Sequence, residues 1–148
     1  MANYICSTKT NDFRVTDLDA FRDLMDRCSS EDELEVWKTT KEDGSIKVGF
    51  GVYGTFNGLS NNGYDEDDEE YEEYDPDESL DRFIAELQPL IHPDDACILI
   101  DVGWEKLRYV GGNALVITNK DTYNINLQKQ AIVKTGELLG NPKYDTEF

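Results

Sequence analysis

The sequence predicts an α+β fold: a mostly antiparallel sheet packed against about three helices, with a long acidic loop. Three observations predict it. The elements read in the order β-(β)-α-β-β-α-β-β-β-α, which gives a parallel sheet no regular crossovers. Neighbouring strand runs are joined by hairpin-type turns, of which Asp43-Gly44 is the clearest. Between the second and third strand groups lies a stretch, residues 65–78, with eleven acids among fourteen residues and no Lys or Arg. A chain of 148 residues fits one domain, 1–148, with its own core, and the acidic insert spans about 57–77.

The first strand signal is "NYICST", followed by "DFRVT", which also has β character. The helix after it, "DLDAFRDLMDRC", places Leu18, Phe21, Met25 and Cys28 at helical spacing. Thr16 or Asp17 serves as its N-cap, and Asp17 and Asp19 complement the positive end of the helix dipole. Asp19, Arg22, Asp23, Asp26 and Arg27 fall on the outward face.

"ELEVWKTT" and "SIKVGFGVYGTF" form the next two strand runs, joined by "KEDGS". Gly49, Gly51 and Gly54 interrupt the second. Glycines within a strand pattern mark a bend or a close approach of backbones, and neither GxGxxG nor GxxxxGK[ST] is present to suggest a phosphate loop. From Asn57 to Pro76 the composition is that of a loop, and one of this length in a compact domain is functional or disordered.

A second helix, "SLDRFIAELQPLI", carries Leu80, Phe83, Ile84, Leu87 and Ile91 on one side. Its start follows Asp75, Asp77 and Glu78, where the dipole favours anions. "ACILIDVGWEKLRYVGGNALVITN" supplies two or three strands with turns expected near residues 103–106 and 111–113, and "TYNINL" a last strand. The third helix, "QKQAIVKTGELLG", presents Ala131, Ile132, Thr135, Leu138 and Leu139, and stops at Gly140.

Charge is the outlying bulk property. There are 32 acids against 14 bases, a net of −18, and 21 acids against 14 bases remain when residues 65–78 are set aside. Such a field repels nucleic acid and anionic membranes and attracts basic proteins or cations. No apolar run is long enough to span a bilayer, and "MANYICSTKTNDF" lacks the basic and apolar regions of a signal peptide, so a cytoplasmic location in a bacterial host is expected. Cys6, Cys28 and Cys97 are odd in number and form no CxxC pair; they read as reduced thiols packed as small hydrophobes.

Catalytic residue types do not converge. The single histidine, His92, sits in "IHPDD" just past a helix and reads as a loop residue. Acid pairs are too abundant for any one of them to single out a general acid and base. An EF-hand loop needs Gly at its sixth position, where the register from Asp65 gives Glu70 and that from Asp75 gives Leu80. No enzyme activity, cofactor or designed metal site is expected.

The acidic stretch reads instead as a partner-binding site made of Asp65, Glu66, Asp67, Asp68, Glu69, Glu70, Tyr71, Glu72, Glu73, Tyr74, Asp75, Asp77 and Glu78. Extended at ~3.3 Å per residue, its eleven charges would span ~46 Å, about one per 4 Å. As a helix they would span ~21 Å, about one per 2 Å. Either form approximates the spacing of a nucleic-acid backbone, one charge per ~1.7 Å of duplex axis or ~3.4 Å of single strand. A groove built to release counterions from phosphates responds to such a segment in the same way. Tyr64, Tyr71 and Tyr74 are interleaved with the acids, either as interface anchors or as tethers that fold back on the domain. A plain solubilising linker is the competing reading, with any partner surface then on the folded domain.

The stretches "KTNDFRVTDLDAFRDLMDR", "LEVWKTTKEDGSIKVGFGVYG", "EKLRYVGGNALVITNK" and "AIVKTGELLGNPKYDT" resemble a family of small acidic proteins carried by phages, plasmids and conjugative elements of Gram-positive bacteria. The resemblance implies a genetic setting in which inhibitors of host defence are common, including DNA mimics directed at restriction enzymes and CRISPR effectors. It supplies no catalytic motif. The expectation is a non-enzymatic DNA mimic whose partner is a basic nucleic-acid-binding protein, without direct contact to nucleic acid or membrane; the sequence does not specify an oligomeric state.

Overall fold

The computed structural model describes residues 5–30, 33–59, 79–106 and 109–147. Eight strands and three helices follow one another as β1 (Ile5–Thr10), α1 (Leu18–Asp26), β2 (Cys28–Ser30), β3 (Glu35–Thr40), β4 (Ile46–Val52), β5 (Phe56–Leu59), α2 (Ser79–Leu87), β6 (Cys97–Glu105), β7 (Tyr109–Ile117), β8 (Thr122–Asn126) and α3 (Leu127–Leu139). Six strands make one antiparallel sheet in the order β3-β4-β1-β6-β7-β8, and β2 and β5 form a separate two-stranded ribbon. The fold is therefore the α+β arrangement expected.

The first strand lies in the middle of the large sheet, between β4 and β6. Its pairing with β6 runs over six residues, from Ile5 opposite Trp104 to Thr10 opposite Leu99. Its pairing with β4 is short, and two buried hydroxyls extend it: Thr8 Oγ1 donates to the Gly54 carbonyl at 2.9 Å, and Thr10 Oγ1 accepts from the Phe50 amide at 3.0 Å. These bonds meet the rule that a buried polar group needs a partner. "DFRVT" contributes no strand. Phe13 and Val15 make single bridges to Val48 and Ile91, and Phe13 drops its ring into the core.

One face of the sheet and the two helices α1 and α2 enclose the core. Val48, Phe50, Val52, Cys97, Leu99 and Ile117 come from the sheet, Phe21, Leu24 and Met25 from α1, and Phe83 and Leu87 from α2. At its centre Phe50, Phe56 and Phe83 touch in a triangle with ring centroids 4.9 to 5.7 Å apart, and each ring buried contributes about 1.5–3 kcal/mol. Asp17 caps α1, its carboxylate accepting from the Ala20 amide at 3.1 Å. Leu24, which the helical spacing had left out, is buried with Phe21 and Met25, while Leu18 and Cys28 are only partly covered.

Three sequence expectations are corrected. Residues 57–59 belong to β5 and are not loop, so the insert begins after Leu59. The second helix ends at Leu87 and gives way to a 3-10 turn at Gln88–Leu90, because Pro89 has no amide to continue the α-helical ladder. Gly111, Gly112 and Asn113 are not a turn but the middle of β7, paired with Gly103, Val102 and Asp101; the turn follows β7, where Thr118 binds Asp121.

Candidate partner-binding surface

All thirteen predicted partner-binding residues, from Asp65 to Glu78, lie outside the described residues. What the structure places is their point of attachment. The described chain stops at Leu59, the end of β5, and resumes at Ser79, the first residue of α2. Both are buried, Leu59 to 1% and Ser79 to 2% exposure. The two ends meet at Gly58, where an added Cβ would stand 2.5 Å from the Ser79 carbonyl oxygen. Gly58 also holds φ at +91°, a conformation that side chains disfavour. Two requirements thus fall on one residue, and only glycine meets both.

The ribbon brings a third element to this point. Cys28 of β2, directly after α1, pairs opposite Leu59, and Ser29 opposite Gly58. The C-terminal end of α1 therefore lies beside the root of the insert, and with it the exposed acids Asp23 and Asp26. Neither they nor Asp19 enters an ion pair with another described residue. Arg27 instead bridges from α1 to α2, donating through both terminal nitrogens to the Glu86 carboxylate at 3.1 and 3.3 Å. Short as β2 is, it was the element that the sequence concealed: three residues, "CSS", without alternation, paired with a partner strand about thirty residues on.

Other acids serve the fold. Asp95 accepts from the amides of Ala96 and Arg14 and from the Arg14 guanidinium. Burial alone would raise its carboxyl, but these donors outweigh it and hold the group below the usual carboxylate range. Asp12 accepts from the Trp37 indole at 2.8 Å and pairs with Lys41 at 3.7 Å. The Trp37 ring lies across Gly49, where an added Cβ would be 2.5 Å from its nitrogen, so this glycine makes room for a side chain. The close approach of backbones expected of a strand glycine occurs instead at Gly51, where an added Cβ would be 3.0 Å from the Thr8 carbonyl oxygen. Asp43 accepts from the amide and hydroxyl of Ser45 in the β3–β4 hairpin, and those bonds lower its pKa.

His92, Cys28 and Cys97 each have a structural setting among the described residues. His92 Nδ1 accepts from the Asp94 amide at 3.0 Å within its loop. Cys97 is in the core and burial pushes its thiol up. The Cys28 thiol is pushed up to about 12, chiefly by burial, with Arg27 pulling the other way and Glu86 adding to the rise. It donates to the Leu24 carbonyl at 3.3 Å. Among the described residues no group of three or more His, Cys, Asp or Glu is placed to hold a metal ion, and no helix is long and apolar enough to cross a membrane.

Placed on the fold, the charge of the chain divides sharply. Residues 1–96 contain 26 acids and 8 bases, while residues 97–148 contain 6 of each. The whole net charge of −18 thus belongs to residues 1–96, and residues 97–148, the segment that contains β6, β7, β8 and α3, sum to zero. Comparison with protein-family models, with curated proteins and with solved structures found no match for the chain.

Proposed function

We propose that the protein is a non-enzymatic DNA mimic that occupies the basic nucleic-acid-binding groove of a host defence protein, a CRISPR effector or a restriction enzyme, in a bacterium that carries the mobile element encoding it. The observation that carries this reading is the run of eleven acids in fourteen residues, whose charge spacing in either an extended or a helical form would approximate that of a nucleic-acid backbone. The attachment supports it. The described residues that flank the insert meet where Gly58 approaches Ser79, near the end of α1 that carries the exposed Asp23 and Asp26, which supports a negative surface larger than the insert alone. Association driven this way is fast and weakens with salt.

A second reading, a regulatory module that binds through its folded surface and uses the insert only for solubility, is favoured by the uncharged outer face of β6, β7 and β8. One experiment separates the two. The tagged chain and a variant with residues 65–78 replaced by Gly, Ser and Asn are used to recover partners from a defence-equipped bacterial lysate at low and high salt. Mimicry predicts a nucleic-acid-binding protein recovered by the native chain alone and released by salt or by added DNA. Equal recovery by both forms would place the binding surface on the folded domain and overturn the proposal.

A further inference from the structure

The outer face of the large sheet divides in two: Lys9 of β1, Glu35 of β3 and Lys47 of β4 keep one half polar, while the β6–β8 half breaks the usual pattern. An antiparallel sheet with helices on one side ordinarily turns polar residues to water on the other. The pairing registers place Ile98, Ile100, Val102 and Trp104 of β6, Val110, Gly112, Ala114 and Val116 of β7, and Tyr123 and Ile125 of β8 on the face opposite the core. None of these ten is charged. Ile5 of β1 joins them opposite Trp104, and Val110 is 62% and Trp104 44% exposed. A contiguous patch of this kind marks an interaction surface.

The third helix poses the complementary problem. Its spacing puts Leu127, Ala131, Ile132, Thr135, Leu138 and Leu139 along one side. Yet Leu138 is 78% exposed and Leu139 64%, and the one buried residue of the helix is Gly136. That burial comes from the chain's own tail: an added Cβ at Gly136 would meet the Asn141 carbonyl at 2.7 Å, and Tyr144 packs beside it. At the start of the helix Leu127 reaches the outer sheet face at Gly112. A helix of thirteen residues, about 20 Å long, is marginal in water unless its apolar side is covered.

Each surface is what the other lacks, and both belong to the neutral part of the chain, with six acids and six bases. We infer that the protein forms a two-fold symmetric dimer in which α3 of each copy packs its Leu138/Leu139 side on the outer sheet face of the other. Helix on sheet is a standard layer pairing, and the exchange is self-complementary, as two-fold symmetry requires. Charge selects the occupant. A basic partner is drawn to the acidic part, whereas a second copy of a chain with net charge −18 is repelled everywhere except where the charge cancels. This inference does not depend on the proposed function. Dimerisation through a neutral apolar contact strengthens as salt screens the acidic parts, whereas partner binding by the insert weakens.

The test is the solution mass of the full chain by light scattering at low and high salt, with the outward-facing variants Leu138→Glu and Val102→Lys. The native chain is expected at twice its 16.9 kDa mass. Each single variant should weaken the dimer about 100-fold or more, because an unpaired charge is driven into an apolar contact. Combining Leu138→Glu with Val102→Lys sets the introduced acid of one copy against the introduced base of the other, and should restore the dimer. Circular dichroism should show less helix in the single variants than in the native chain. A native chain that stays monomeric at all concentrations overturns the inference. So does a dimer indifferent to Leu138→Glu, or one that Val102→Lys leaves intact, since that would put helix against helix.

Discussion

Residues 1–96 and residues 97–148 share one sheet and follow opposite rules at the surface. The first part carries the entire net charge of −18, and the second carries none. The contrast reaches the two sheet edges. The β3 edge, "EVWKTT", is guarded by Glu35 and Lys38, whereas the β8 edge, "TYNIN", has no charge and no proline. Charges on an edge deter unwanted strand pairing, so the β3 edge is guarded against it and the β8 edge is not.

The largest effect expected falls on the acidic part. Converting the eleven acids of residues 65–78 to Asn and Gln should weaken partner binding by about 10³-fold or more, the scale on which losing several charge contacts acts. Titration calorimetry against the recovered partner checks it, and the dimer mass should be unchanged. The core should not respect the boundary between the two parts. Phe83→Ala removes a ring from the triangle with Phe50 and Phe56 and should cost about 3–5 kcal/mol in urea unfolding. Val102→Ala on the outer face should cost under about 0.5 kcal/mol in the monomer, as a surface change does.

A smaller change tests how the insert is rooted. Gly58→Ala meets both the positive φ and the Ser79 carbonyl, and should cost about 1–3 kcal/mol from the backbone conformation alone. Limited proteolysis should then cut the chain faster near residues 58–79 than in the native protein. The smallest effect is a matter of pH. The Cys28 thiol rises from an ordinary 9.0 to about 12 in the folded chain. A proton held more tightly by the folded state contributes stability below pH 9 that is lost as pH rises toward 12. Unfolding midpoints measured from pH 8 to pH 11 should therefore fall, and less so in Cys28→Ala.

Local chemistry in this chain was legible and remote pairing was not. A cap of α1 at Thr16 or Asp17, of which the structure uses Asp17, a hairpin at Asp43-Gly44 and a stop of α3 at Gly140 all follow from a few adjacent residues. The central place of β1 does not, because strand order depends on which distant surfaces bury each other. The β2–β5 ribbon escaped notice for the same reason, and with it the convergence of Cys28, Leu59, Gly58 and Ser79 that roots the insert. Gly111-Gly112 has the composition of a turn, yet pairs through Gly103 and Val102 inside a sheet. Helical periodicity put Ala131, Ile132, Thr135, Leu138 and Leu139 on one side of α3, yet Leu138 and Leu139 are exposed and the residue that is buried is Gly136, against the chain's own tail.

The most direct test is the salt dependence of the complex between this protein and the partner it recovers, measured from roughly 50 to 500 mM salt across a range in which the screening length falls several-fold. A steep linear fall of log affinity with log salt, lost when residues 65–78 are neutralised, is the result predicted for a segment that stands in for a phosphate backbone. An affinity that stays flat across that range would contradict it and assign recognition to the folded surface.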